Sequence, residues 1–242
     1  MSGHSKWNNI AKRKGANDAK KAKIFTKIGR EMAIAIKEGG SANPDFNARL
    51  RDCIAKAKAN NMPNDNISRS IAKASGELGN VSYEEITYEG YGNGGVALIV
   101  ETLTDNRNRT ASDVRHLFDK FGNGLGTTGC VSYMFEHQGV IAMEKQDDMD
   151  EDEVMMAALD AGADNFEATD DEFIVYTQIA SFSQVREELE KNGYTFISAE
   201  IEWVPQTMVA VSGADADKLE KLVDNLEELD DVQNVFHNGE MA

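Results

Sequence analysis

Along the first third of the chain, apolar residues recur at three- and four-residue steps. From Asp18, the residues Ile24, Phe25, Ile28, Met32, Ala35 and Ile36 share one helical face, and Gly39-Gly40 stops the pattern. Asn43 as N-cap with Pro44 at the first helical position predicts a second helix, because the missing N–H of proline is no loss in a first turn. Its apolar face carries Phe46, Leu50, Ile54 and Ala57, and Asn60-Asn61-Met62-Pro63 breaks it, since a residue before proline disfavours helix. Ile67, Ile71 and Ala74 mark a third helix with Arg69 and Lys73 exposed. The arm before Asp18 has little apolar periodicity and reads as short helix or extended chain.

From about residue 80 the period changes from 3.6 to 2. Residues 85–89 read as a strand, 90–95 as a glycine-rich turn and 96–104 as a second strand. A helix over 112–121 turns Val114, Leu117, Phe118 and Phe121 inward. Beyond Gly129 a strand runs to Phe135, and a tight turn at His137-Gln138-Gly139 leads into a strand over 140–144. Helix 151–161, strands 164–168 and 172–177, helix 181–191 and strand 194–203 follow. From Val140 the order is βαββαβ, the ferredoxin-like unit. The tail (strand 207–212, helix 214–228, strand 232–237) has no sheet of its own, and completes the ββα begun at 85–121 if the middle is an insertion. The expected fold is therefore multidomain, α and α+β. A basic N-terminal helical bundle spans 1–78, an α+β lobe spans 79–131 plus 204–242, and an inserted ferredoxin-like α+β domain spans 132–203.

Composition sharpens this picture. With 242 residues, 41% hydrophobic and 28% charged, the chain is globular and long enough for two or three domains. The net charge of −17 alone argues against a nucleic-acid partner, but it hides a split. Residues 1–75 hold 16 Lys/Arg against 6 Asp/Glu, a net of +10, while the remainder holds 9 against 36, a net of −27. The longest apolar run, near Val96–Val100, falls far short of the ~20 residues that cross a bilayer, so no membrane partner is expected. The start lacks the apolar core of a secretory signal, and Cys53 and Cys130 are isolated thiols suited to a reducing compartment. The expectation is a cytoplasmic protein.

Catalytic motifs are weak. Gly124-Leu125-Gly126-Thr127-Thr128-Gly129 matches G-x-G-x-x-G, but it follows a helix and leads into a strand, the reverse of a dinucleotide site. It reads better as a connector whose glycines permit left-handed backbone. His4, His116, His137 and His237 lie in separate segments with no zinc-type spacing, and no nucleophile elbow or phosphate loop is present. Asp147, Asp148, Asp150, Glu151, Asp152 and Glu153 read as a solvated loop feeding acids into a helix first turn. The chain is therefore expected to be no enzyme and to need no cofactor and no metal.

The basic third carries the sharpest signal. Lys6, Lys12, Arg13, Lys14, Lys20, Lys21, Lys23, Lys27 and Arg30 place nine cations within 25 residues, where a merely solvated face would mix signs. Such a run suits phosphates, whose neutralisation releases counterions. Trp7 beside Lys6 is either a base-stacking group or an anchor for the arm. Arg107 and Arg109, in Thr104-Asp105-Asn106-Arg107-Asn108-Arg109-Thr110, are two of only nine basic residues in the acidic part, and are read equally as phosphate contacts or as surface arginines beside a helix cap. The expected partner is nucleic acid, either promoter DNA or rRNA within a ribosome, with a basic protein as a possible partner for the acidic lobes. A small-molecule-binding module built on the α+β lobes is a further class, although no residue names a ligand.

Several strings together resemble the YebC family: Ser2-Gly3-His4-Ser5-Lys6-Trp7, the run Asp18 to Lys27, the Met62-Pro63 break with Ile67 and Arg69, Tyr88-Glu89-Gly90-Tyr91-Gly92, Thr104 to Thr110, and Gly124-Leu125-Gly126 through Phe135. The likeness runs in order through essentially the whole chain. Asn8, Ala11, Asn123-Gly124 and Cys130 are modest departures from it. The resemblance implies three domains with the third inserted in the second. It also implies a DNA-binding transcriptional regulator, or a translational activator of the kind known in mitochondria, with a ribosome-linked role attributed to bacterial members. It supplies no catalytic residues.

Overall fold

The computed structural model describes residues 18–76, 82–146 and 148–241. Three helices form the N-terminal part: α1 (Asp18–Gly39), α2 (Ala48–Ala59) and α3 (Asn64–Ser75). Their apolar stripes meet in one core, where Ile28, Met32, Leu50, Ala57 and Ile67 are buried. Asn43 caps only a single 3-10 turn, Pro44–Phe46, and α2 starts later with Asn47 as its cap. The reason is in the Asn47 side chain. Its Oδ1 accepts from Leu50 N (3.0 Å), while its Nδ2 donates to Ala35 O (2.7 Å) and Ser41 O (2.9 Å), tying the end of α1 to the start of α2. Phe46, expected on the apolar face, consequently stands 79% exposed. At the predicted break Asn61 takes a left-handed φ of 57°, and Met62 N donates back to Ala57 O (2.9 Å), closing the helix end.

The next lobe is built on a three-stranded antiparallel sheet in the order β1 (Glu84–Tyr91), β2 (Ala97–Thr104), β8 (Val232–His237). Helices α4 (Arg107–Phe121) and α7 (Gly213–Glu228) cover one face, burying Val114, Phe118, Leu219, Leu222 and Leu226 against Leu98, Val100 and Val235. The chain thus returns from residue 205 to finish a sheet begun before residue 104. Short strands β7 (Val209–Val211) and β9 (Gly239–Met241) pair in parallel with each other rather than joining that sheet. Buried Asn238 couples the two: its Oδ1 accepts from Ala97 N (2.8 Å), and its carbonyl accepts from Val209 N (2.7 Å).

Between these halves lie β3 (Phe135–Glu144), α5 (Glu151–Ala161), β4 (Asn165–Ala168), β5 (Glu172–Thr177), α6 (Ile179–Lys191) and β6 (Ser198–Pro205). Their sheet order, β4-β5-β3-β6, is antiparallel throughout and is the ferredoxin-like arrangement. Helices α5 and α6 pack on one face over Ile141, Met143, Phe173 and Val175. No turn interrupts β3 at His137-Gln138-Gly139: Gly139 pairs with Thr177 on one side and Ile201 on the other. A Cβ at Gly139 would lie 2.5 Å from Phe182 Cδ2, so the glycine serves the close approach of α6. The whole molecule is a multidomain α+β structure.

Candidate nucleic-acid interface

The cations of α1 divide by helical face. Lys23, Lys27 and Arg30, on successive turns, point at the end of α7, whose own last turn contains no basic residue. Lys23 Nζ donates to Glu228 O and to Glu228 Oε2 (2.9 Å), and Lys27 Nζ donates to Glu227 O (3.2 Å). Positive groups belong at a helix C-terminus, where carbonyls lack intrahelical partners and the dipole is negative. Here another segment supplies them. Burial lowers the Lys27 pKa to about 8, although neighbouring Glu227 opposes the fall.

Arg30 reaches further, donating to Asp230 O (2.6 Å), Leu103 O (3.3 Å) and Asp231 Oδ1 (2.8 Å). Asp231 is the centre of this junction. Its Oδ2 accepts from Arg109 Nη2 (2.7 Å), Arg109 Nε (3.2 Å), Thr110 Oγ1 (2.8 Å) and Thr104 Oγ1 (3.2 Å). Burial alone would raise the Asp231 pKa, but the hydrogen bonds from Arg109, Thr110 and Arg30 outweigh it and hold the carboxyl below its ordinary value. Two sequence-predicted arginines, Arg30 and Arg109, are thereby brought to opposite oxygens of one carboxylate. The string Thr104–Thr110 proves to be a helix start: Asn106 Oδ1 accepts from Arg109 N (3.1 Å), and Asn106 N donates to Thr104 Oγ1 (2.9 Å). Helix α4 therefore begins five residues before the predicted 112. Arg107 is exposed in its first turn and pairs with no carboxylate among the described residues.

Helix α2 uses its charges against α6 and β6. Arg51 Nε pairs with Glu187 of α6 (2.7 Å). Lys56 Nζ bridges Glu31 of α1 (3.0 Å) and Glu200 of β6 (3.1 Å). Burial would lower the Lys56 pKa, but these two carboxylates override it and raise the pKa. Running the other way, Arg186 of α6 donates to Asp52 Oδ1 (3.0 Å), and Ser183 donates to Asp52 Oδ2. Arg49 bridges Glu38 and Glu85. Part of the opposition between the +10 and −27 segments is thus satisfied inside the molecule, through Lys23, Arg30, Arg49, Arg51 and Lys56.

Among the described residues, the cations without a carboxylate partner are fewer and differently placed. Lys21 is exposed, and Lys6, Trp7, Lys12, Arg13, Lys14 and the side chain of Lys20 lie outside the described residues. Lys37, Arg69 and Lys73 stand exposed around a trough between α1 and α3 with a volume of about 630 Å³. None of the three pairs with a carboxylate among the described residues: Lys37 Nζ donates to Ser82 Oγ (2.7 Å), and Arg69 donates to Asp65 O (3.3 Å) and Asn66 Oδ1 (3.2 Å). Tyr83 closes one end, with the Arg30 guanidinium 5.5 Å from its ring centre. The sequence marks Arg69 and Lys73 as exposed helix residues, but neither they nor Lys37 are among its candidate site residues. The usable signal was the i, i+4 pair Arg69 and Lys73 beside the small Ser70 and Ala74.

The other candidate chemistry has structural partners. In the glycine connector, Gly124 and Gly129 do take left-handed φ values of 96° and 88°. The cluster of N–H groups that follows is filled by Glu89, whose carboxylate accepts from Gly129 N (2.8 Å), Val131 N (2.8 Å) and Ser132 N (2.9 Å). Burial would raise the Glu89 pKa, yet these backbone bonds lower it. Asp150 caps α5 through Glu153 N (3.1 Å), as the loop reading of the acid run expects, while Asp147 lies outside the described residues. Among the described residues no group of three or more His, Cys, Asp or Glu is placed to hold a metal ion, and no helix is long and apolar enough to cross a membrane. Burial pushes the Cys53 thiol up to about 12 and raises that of Cys130 as well.

Comparison with known proteins matches residues 5–77 to the TACO1/YebC protein N-terminal domain and residues 83–239 to the TACO1/YebC second and third domain. A probable transcriptional regulatory protein of Clostridium novyi (strain NT) is 60% identical over 240 residues, 99% of this chain and 97% of the relative. One from Acetivibrio thermocellus is 59% identical over 239 residues, 98% of each chain. The crystal structure of a conserved hypothetical protein from Aquifex aeolicus superposes with a TM-score of 0.81 at 44% identity, covering 93% of this chain and 92% of that one.

Proposed function

The chain belongs to the TACO1/YebC family, and from that membership we propose that it is a non-enzymatic, nucleic-acid-binding regulator of gene expression acting on promoter DNA; its relatives are named probable transcriptional regulatory proteins. The observation that carries the reading is the set of cations on the bundle that no described carboxylate neutralises: Lys21, Lys37, Lys58, Arg69 and Lys73, in a chain of net charge −17. Unneutralised cations on so acidic a protein suit a polyanion, because each phosphate contact releases a counterion. The raised pKa values of both thiols support a non-catalytic reading, since the thiolate is the nucleophile. In this proposal the protein is cytoplasmic, and the bundle, with Lys20 on α1 and the arm carrying Lys6, Lys12, Arg13 and Lys14, is its nucleic-acid-facing part. The test is fluorescence anisotropy with a promoter duplex against an unrelated duplex at physiological salt. Tighter binding to the promoter is expected, and equal affinity sinks promoter specificity.

A second reading, a ribosome-associated translation factor contacting rRNA, is favoured by one specific feature. Glu227, Glu228, Asp230 and Asp231 lie directly beside the basic bundle. A long duplex laid on the bundle would meet that acidic tip, whereas a concave partner of mixed charge accommodates both signs. Co-sedimentation with ribosomes at moderate salt is the outcome expected of this reading, and its absence in the intact protein overturns it.

A further inference from the structure

We infer that the trough between α1 and α3 seats a short unpaired stretch of a nucleic-acid strand, with a base in the trough and the flanking phosphates on Lys37, Arg69 and Lys73. The inference rests on the nucleic-acid reading above and narrows it to a strand state and a place. The trough follows from helical spacing. On α1, the positions 25, 29, 33 and 37 repeat every fourth residue, and on α3 the positions 66, 70 and 74 do the same, so two rows of side chains face each other. The residues facing the trough from the two rows are small, Gly29 and Ala33 on α1 and Ser70 and Ala74 on α3; at Gly29 the rows come close, and a Cβ there would make an ordinary contact of 3.4 Å with Ser70 Oγ.

Floor and rim differ in chemistry. Phe25, Ile34 and Met62 make the floor apolar, and Tyr83 adds an aromatic ring at one end. The rim carries Lys37, Arg69 and Lys73, and among the described residues that line the trough none is an acid. That exclusion is notable in a chain where acids outnumber bases by 42 to 25. An apolar, partly aromatic slot bordered by unpaired cations is how proteins hold single strands: bases stack on rings while the backbone tracks the charge. A volume of about 630 Å³ suits a group of nucleotide size. Paired bases are stacked inside a duplex and cannot descend into such a slot, so a duplex touches only the rim. Arg30 links this place to the rest of the molecule, since the same guanidinium lies over Tyr83 and donates to Asp231.

The experiment is fluorescence anisotropy with labelled oligothymidylate and oligouridylate and with a duplex of equal length, across a salt series. It compares the full chain with Ala33→Phe, which fills the trough, and with a Lys37→Gln/Arg69→Gln/Lys73→Gln variant, which keeps the trough but discharges its rim. The wild type is expected to prefer the unpaired strands, and Ala33→Phe to lose about ten-fold in single-strand affinity, the order of one base stack, with duplex affinity unchanged. The rim variant should flatten the single-strand salt slope by about 2, at about 0.7 per phosphate lost. Its substitutions are all on the surface, so it remains informative if Ala33→Phe fails to fold. A wild type that prefers duplex, or unpaired-strand binding that neither variant weakens, overturns the inference and leaves the nucleic-acid reading standing. A wild type that binds none of the three probes overturns both. Preference between the two unpaired probes distinguishes DNA from RNA as the source of the strand.

Discussion

Helix α1 presents cations to two neighbours, and the two sets behave differently. Lys23, Lys27 and Arg30 meet the end of α7 and Asp231, where carbonyls and carboxylates receive them. Among the described residues Lys37 meets a serine hydroxyl and no carboxylate, and across the trough Arg69 and Lys73 of α3 meet no described carboxylate either. In the linear sequence the two sets are the same residue types in the same basic region. A positive charge in a sequence therefore identifies a group that needs an anion, and only the fold says whether the anion is already present. The first set holds lobes together, and the second remains available to a ligand.

The largest effect expected from breaking this contrast is at Asp231. Asp231→Asn preserves shape but removes the charge shared by Arg30 and Arg109, and should destabilise the protein by about 1–3 kcal/mol, read as a lowered urea midpoint. Lys73→Gln, at an exposed and unpaired position, should stay within about 0.5 kcal/mol. Acid sharpens the same difference. Because the folded-state pKa of Asp231 is depressed, its contribution is present above the unfolded carboxylate value and is lost as pH falls through the folded one. The difference between wild type and Asp231→Asn should therefore shrink on acidification. Equal midpoints near neutral pH would mean that the junction does not hold the lobes.

The helices of the bundle and the βαββαβ order were legible because periodic apolar positions record local geometry, as at Ile28, Met32 and Leu50. The start of α4 was not, since Arg107-Asn108-Arg109-Thr110 has no apolar residue to carry a period, although Asn106 was there as a cap. Gly139 looked like a turn because glycine marks both turns and close approaches; Phe182, more than forty residues away, decides between them. At the candidate site, the sign of the charge was legible. Its allocation was not, because Lys23 and Arg30 find their partners about two hundred residues further on.

A smaller effect separates the two cation sets by salt. Replacing Lys37, Arg69 and Lys73 with Gln should flatten the dependence of single-strand binding on salt by about 2, whereas Lys23→Gln with Lys27→Gln should change it by less than about 1, because those two face α7. Slopes that change equally would mean that phosphate displaces the α7 end from α1, making the contact competitive rather than structural.

The smallest expected effect is a titration. Lys27 should change charge near pH 8, well below an ordinary lysine, because its ammonium is buried against α7. A folded-state pKa below the unfolded one means that the native state binds fewer protons, so this residue's contribution to stability rises as pH climbs through about 8 toward 10.5. NMR of the lysine side chains reads the midpoint directly. Glu227→Gln removes the neighbouring charge that opposes the fall, and should move the midpoint lower still. A midpoint that rises on that substitution, or that already sits at the ordinary lysine value in the wild type, would mean that Lys27 is solvated rather than docked. Lys27 would then belong with the available cations of the trough and not with those that join the lobes.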